Sequence, residues 1–331
     1  MISLEKTHKS LFKITLLQIG HLADSFTECR ANRMPQLQFV GAFSASNAFV
    51  RAKFADISRA NEGCSMQELT GTTPIFIGGS PRSGTTLLRA IVNSSATMVC
   101  GPELRVIPAL CALSHQIEQG SLDVLQDHYG MNQSALHQQF AQTIHAFLKP
   151  LGESSGKRVA EKTPANILHF PHLRQLFPTS PLVSIVRDGR DVVSSLLSMD
   201  WTDSRTGAPM DITTDARLAA HQWVQSVEAG EQMANDNAHY QLRYEDLVAD
   251  PHAVIGQLFD FLGEPSGAVE SALRRVAGFD PSSGANEASN DRVSQPIDRR
   301  AIGRWQRDLT AKQIDDVQRV AGPTLHRYGY A

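Results

Sequence analysis

The pattern of apolar and polar positions repeats one arrangement along this chain. In "PIFIGGSPRSGTTLLRAIV", Pro74 to Val92, a short apolar run meets a polar, glycine-rich turn and then Leu-Leu-Arg-Ala at helical spacing. In "PLVSIVRDGRDVVSSLL", from Pro181, Val183, Ile185 and Val186 precede Asp188-Gly189 and a helical face over Val192–Leu196. Each reads as strand, turn and helix. Between them, "MNQSALHQQFAQTIHAFLKP" has apolar positions at helix period and is expected to stop at Pro150. Further on, "YQLRYEDLV" reads as a strand, Asp250-Pro251 as a break, and "HAVIGQLFDFLG" as a helix ending at Gly263. The tail "LTAKQIDDVQRVAGPTLHRYGY" starts at a threonine cap and makes one last helix.

Strands alternating with helices predict an α/β fold: a P-loop-type, mainly parallel central sheet with helices on both faces. Residues 1–70 carry no strong strand signal, and "SASNAFVRAKFADISRANEG" reads as a helix ending near Gly63. They are expected to form a helical or partly disordered N-terminal extension ahead of one domain over 71–331. "DPSSGANEASN", Asp280 to Asn290, is small and polar throughout and reads as a flexible loop.

Composition narrows the partners. A chain of 331 residues, 41% hydrophobic and 20% charged, can bury a sizeable core. A formal net charge of -3 makes no electrostatic case for nucleic-acid binding. The four cysteines show no C-x-x-C spacing and no zinc pattern with the twelve histidines, so a reduced, cytoplasmic setting is expected. No apolar run approaches the roughly 20 residues of a membrane span. The early stretch "SLFKITLLQIGHLA" is interrupted by Lys13, Gln18 and His21 and reads as an amphipathic helix.

Candidate chemistry concentrates in the first turn. Gly79-Ser80-Pro81-Arg82-Ser83-Gly84-Thr85-Thr86 has the G-x-x-x-x-G spacing of a phosphate-binding loop, but Thr85 stands where a triphosphatase loop has lysine. Backbone amides from Arg82 to Thr86, the positive end of the following helix and the hydroxyls of Ser83, Thr85 and Thr86 would still hold an anion. Arg82 adds a guanidinium suited to bidentate oxyanion contact. Arg187 ends the second apolar strand, and Ser195 follows eight residues later on the next helix. Together they can hold a second, separate phosphate, although Arg-Asp-Gly-Arg alone could equally be a salt-bridged turn.

The pair "GGSPRSGTTLLRAI" and "VRDGRDVVSSL" resembles the sulfotransferase family. The resemblance runs from about Pro74 to the C-terminus and is strongest toward the protein-tyrosine sulfotransferases and their bacterial relatives, through "CGPELRVIPAL" and "KTPANILHFPHLRQLFPTSPLVSIVRDGRDVVSS". It implies 3′-phosphoadenosine 5′-phosphosulfate (PAPS) as co-substrate, no metal, and a hydroxyl acceptor: a small molecule, carbohydrate, lipid or peptide tyrosine. On this resemblance Arg82, Ser83, Gly84, Thr85 and Thr86 match the 5′-phosphosulfate loop, and Arg187 and Ser195 the 3′-phosphate pair. Tyr244 matches an adenine-side contact, Glu103 the base, and Lys162 the lysine that supports the transferring group. Arg299 or Arg300, ahead of "IGRW", is expected to close over the 3′-phosphate.

The departures bear on the acceptor rather than on the co-substrate. Cys100 is present, but its disulfide partner in the tyrosine enzymes is Ala160 here. Their late-loop catalytic serine has only Ser282 or Ser283 as counterparts, and a basic residue after the 3′-phosphate serine is Met199. His169 and His172 are alternative bases by residue type, weighed against ordinary core or surface histidines. Arg304 and Arg307 are placed near the co-substrate or on a solvated face. A P-loop kinase or nucleotide hydrolase and a non-catalytic nucleotide-binding module stand as the other two functional readings.

Overall fold

The computed structural model describes residues 73–265, 267–276, 297 and 299–330. The expected N-terminal extension, the Asp280–Asn290 loop and Ser282 and Ser283 lie outside the described residues. The strands are β1 (Ile75–Gly79), β2 (Met98–Cys100), β3 (Arg158–Lys162), β4 (Leu182–Val186) and β5 (His239–Arg243). They form one five-stranded sheet in the order β2-β3-β1-β4-β5, parallel throughout.

The helices, in chain order, are α1 (Thr85–Ser94), α2 (Val106–Tyr129), α3 (Gln133–Ser155) and α4 (Phe170–Leu176). They continue with α5 (Gly189–Leu197), α6 (Ala216–Glu231), α7 (Tyr244–Ala249) and α8 (Pro251–Leu262). Among the described residues, α9 (Ala268–Val276), α10 (Trp305–Asp308) and α11 (Ala311–Arg327) follow. Every residue of β1 and β4 is buried, as expected of parallel strands covered on both faces. Alternation along β1 divides the core. Ile75 and Ile77 join an apolar cluster with α1, α8 and α9, whereas Phe76 joins another with α2, α3 and α4.

The expected parallel α/β architecture is therefore observed. Two boundaries differ from the sequence reading. Helix α3 runs through Pro150 to Ser155 rather than stopping there. A proline forfeits one helical hydrogen bond, and burial of Ile144 and Leu148 outweighs that loss. Termination comes instead at Gly156, which takes the left-handed conformation at φ 63°. The strand expected over "YQLRYEDLV" ends at Arg243, so Tyr244 opens α7. The threonine cap of α11 is observed as a capping box between Thr310 and Gln313.

Cys100 and Ala160 are partners in the β2–β3 register, and Cys100 is buried. Among the described residues, no helix is long and apolar enough to cross a membrane.

Between β3 and α4, a 3-10 segment (Pro164–His169) passes very close to β1 at Gly78. A Cβ there would lie 2.5 Å from the Ile167 backbone nitrogen, and the obstacle is main chain, which has little room to move. Gly78→Ala is expected to destabilise the protein by about 1–3 kcal/mol, read as a lower urea midpoint at unchanged m-value. An unchanged midpoint would show that this packing relaxes freely.

Candidate functional site

The first turn leaves β1 at Gly79 and enters α1 through Gly84. Gly84 has φ 105°, and a Cβ on it would meet the Tyr244 ring at 2.7 Å, so position and conformation both select glycine. Gly84 at the N-cap has no side chain to cap α1, and a helix start of this kind suits an external acceptor. Ser83, Thr85 and Thr86 are buried, and the Ser83 hydroxyl has no hydrogen-bond partner. Arg82 sits in the left-handed region at φ 71°, and Arg105 does so at φ 59°. They are the two non-glycine residues with positive φ among the described residues, and strained backbone of this kind concentrates at functional sites.

The second turn leaves β4, the neighbour of β1, and its side chains meet the first. Arg82 Nε donates to Ser195 Oγ at 3.0 Å, and Arg187 Nη1 donates to the Arg82 carbonyl at 3.0 Å. Tyr244 lies beneath the Arg187 guanidinium, 4.8 Å from its ring centroid, as well as against Gly84. Burial, then the charges of Arg187 and Arg304, pushes the Arg82 guanidinium down to about 10. Burial likewise lowers Arg187, with Asp191 pulling the other way, and Arg187 Nε is a buried donor without a partner. Two desolvated cations, an orphaned donor and a helix start without a side-chain cap make this pair of turns receptive to anions.

A third cation ends β3, the other neighbour of β1. Lys162 has 0% of its side chain exposed and donates to Glu103 Oε1 at 2.7 Å. Arg105, mostly exposed, holds Glu103 Oε2 at 3.3 Å, so the carboxylate bridges a buried and a solvated cation. The strand of β3 also grips the Glu103 loop on both sides of Lys162. Glu161 accepts from the Leu104 amide at 3.1 Å, Thr163 Oγ1 at 2.7 Å and Asn166 Nδ2 at 2.6 Å. Thr163 Oγ1 in turn accepts from the Arg105 amide at 3.2 Å. Burial pushes the Glu161 carboxyl up against the opposing pull of Thr163, Asn166 and Leu104.

Arg82, Arg187, Ser195 and Tyr244 are thus brought together, with Glu103 and Lys162 paired at the end of the adjoining strand. Arg299 and Arg300 are exposed, and Arg299 reaches the Ala249 carbonyl at 3.4 Å. Their turn adjoins Ala301, whose carbonyl accepts from Arg187 Nη2. Arg304 pairs with Asp308 at 2.7 Å and adds positive charge near Arg82 and Arg187; Arg307 is largely exposed. His172 is buried and lies in a separate cluster with His137, Glu118 and the exposed His115.

Sequence reasoning missed the residues that hold this site in place. The Trp223 indole donates to the Arg187 carbonyl at 2.9 Å, and a Cβ on Gly189 would strike its ring. Asp191 accepts from the amides of Gly303 and Trp305 at 2.8 and 3.1 Å, docking that segment onto α5. Glu245 accepts from the Asp188 amide at 2.9 Å. Nothing in their spacing distinguishes these residues from ordinary core or surface positions.

The family profile described as "Sulfotransferase family" matches residues 74–267. The chain belongs to the sulfotransferase family. This sulfotransferase is 30% identical over 266 residues to protein-tyrosine sulfotransferase 1 of Danio rerio, covering 77% of the chain and 72% of that protein. It is 29% identical over 265 residues to protein-tyrosine sulfotransferase A of Caenorhabditis elegans, covering 78% of the chain and 68% of that protein. The fold matches the sulfotransferase domain from the curacin biosynthetic pathway, with a TM-score of 0.52, 21% identity, and coverage of 76% of this chain and 96% of that one.

Glu161→Gln would turn an amide NH2 toward groups that already donate. A loss of about 1–3 kcal/mol in stability is expected from urea unfolding. Unchanged stability would remove Glu161 from its role in holding the Glu103 loop.

Proposed function

We propose that this enzyme transfers the sulfuryl group of PAPS to a hydroxyl acceptor, with Glu103 as the base. The observation that supports the reading is the contact of Arg82 with Ser195 at 3.0 Å, which joins the turn after β1 to the helix after β4. PAPS would supply the sulfuryl group and depart as adenosine 3′,5′-bisphosphate. Arg82, the Ser83 hydroxyl and the amides at the start of α1 would hold its 5′ end; Arg187 and Ser195 would hold the 3′-phosphate. The orphaned Ser83 Oγ and Arg187 Nε fit that ligand, because each is a buried polar group that an anion would satisfy.

Transfer of this kind asks the protein to position reactants and to stabilise charge on the peripheral and leaving oxygens. Arg82 and Lys162 bring fixed positive charge, both desolvated, so little solvent reorganisation accompanies the reaction. Glu103 is anchored at Oε1 by Lys162 and at Oε2 by Arg105, and it accepts the proton of the acceptor hydroxyl. Such general-base help is worth roughly 10²–10⁴-fold. Peptide tyrosine is the first acceptor to test, since the relatives are named for it.

Glu103→Gln is expected to lower kcat by roughly 10²–10⁴-fold while adenosine 3′,5′-bisphosphate affinity stays nearly constant. Unaltered turnover would remove Glu103 from the base role. Adenosine 3′,5′-bisphosphate at 100 times its Kd should stabilise the fold by about 2.7 kcal/mol, and Arg187→Ala should weaken that binding. Stabilisation by magnesium–ATP in its place would favour the kinase or hydrolase reading.

A further inference from the structure

A second constellation lies among α2, α3 and α4. His115 and Glu118 are one turn apart on α2, His137 is on α3, and His172 is on α4. One atom each from His115, Glu118 and His172 lies within 4.8 Å of the others. Glu118 Oε1 is taken by His137 Nε2. Its other oxygen, Oε2, faces His115 Nδ1 at 3.6 Å and His172 Nδ1 at 3.9 Å. Those separations exceed the roughly 2.7–3.2 Å of a hydrogen bond. They suit donors that surround a shared ion: tetrahedral zinc bonds of about 2.0–2.1 Å place neighbouring donors about 3.3 Å apart.

His172 supplies the independent observation. It is 7% exposed, and neither ring nitrogen makes a hydrogen bond, although Gln175 comes within reach. A buried imidazole in that state is costly, and a cation ligated at Nδ1 relieves the cost at that nitrogen. The rings of His115 and His137 both meet it edge-on, at centroid distances of 5.7 and 5.6 Å. His115 Nε2 is 2.9 Å from Gln119 Nε2, and with that side-chain amide turned over its oxygen would accept the Nε2 proton and leave the Nδ1 lone pair for an ion.

We infer that His115, Glu118 and His172 form a zinc site, with His137 bound to the outer oxygen of Glu118 as its orienting partner. Two imidazoles and one carboxylate are a donor set for zinc, and a solvent molecule can complete the tetrahedron beside the half-exposed His115. Glu118 lies twelve residues beyond the start of α2, about 18 Å along a helix at 1.5 Å per residue, so the ion would not touch the Glu103–Lys162 pair. Its role is to tie α2, which follows Glu103, to α4, which follows Lys162. A spatial cluster of this kind has no sequence spacing to betray it.

The test uses full-length protein without a histidine tag, stripped with chelator and then titrated with Zn²⁺ alone. One equivalent should be retained through gel filtration, and the Tm should rise on addition. His115→Ala, at a half-exposed position where folding is safe, and Glu118→Gln should each weaken Zn²⁺ binding at least ~10-fold, the scale set by loss of a mere orienting partner. Both should abolish the Tm rise, while His252→Ala, an exposed histidine elsewhere, should leave uptake intact. Absence of stoichiometric uptake, uptake unchanged in both variants, or equal loss in His252→Ala would each overturn the proposal.

Discussion

Adjacent parallel strands deliver their C-terminal ends to one edge of the sheet, and here three neighbours each deliver a cation, two of them buried and Arg82 half-buried. β3 ends in Lys162, β1 leads into Arg82, and β4 leads into Arg187. Removing three such charges from water is expensive unless oxygen atoms surround them. The protein supplies some of these itself: Glu103 to Lys162, the carbonyls of Arg82 and Ala301 to Arg187, and Ser195 to Arg82. Burial still holds the Arg82 and Arg187 guanidinium groups below their usual range. An anionic ligand would complete the compensation, so affinity for it and stability of the fold are coupled.

Holding these cations in register requires a rigid surround, and the surround is built from long-range contacts. Trp223 on α6 pins the Arg187 carbonyl, while Asp191 on α5 docks Gly303 and Trp305. On the other side, Glu161, Thr163 and Asn166 knit the Glu103 loop to β3 and its following turn. Both non-glycine residues in the left-handed region, Arg82 and Arg105, lie inside this framework. Their strain persists because hydrogen bonds on both flanks over-determine the backbone.

The helical layer of α2, α3 and α4 does more than cover the sheet. It buries Phe76 and Leu182 in one apolar cluster, yet it also encloses His172 beside Glu118, a polar arrangement that hydrophobic packing alone does not call for. Because α2 and α4 follow Glu103 and Lys162, whatever fastens those helices together also limits how far that pair can drift.

Sequence alone determined the two strand–turn–helix units and the parallel α/β class. Those features are written in contiguous stretches, where apolar period, glycine placement and hydroxyl content act on their immediate neighbours. It misjudged the stop at Pro150, because the lost hydrogen bond was weighed without the burial of Ile144 and Leu148. Only the tertiary structure decided that Arg82 meets Ser195, that Lys162 is wholly buried against Glu103, and that Trp223, Asp191 and Glu161 brace them. It also decided that His115, Glu118, His137 and His172 converge from three helices. Such contacts depend on strand order and helix docking, which arise from packing summed over the whole core, so no local spacing encodes them.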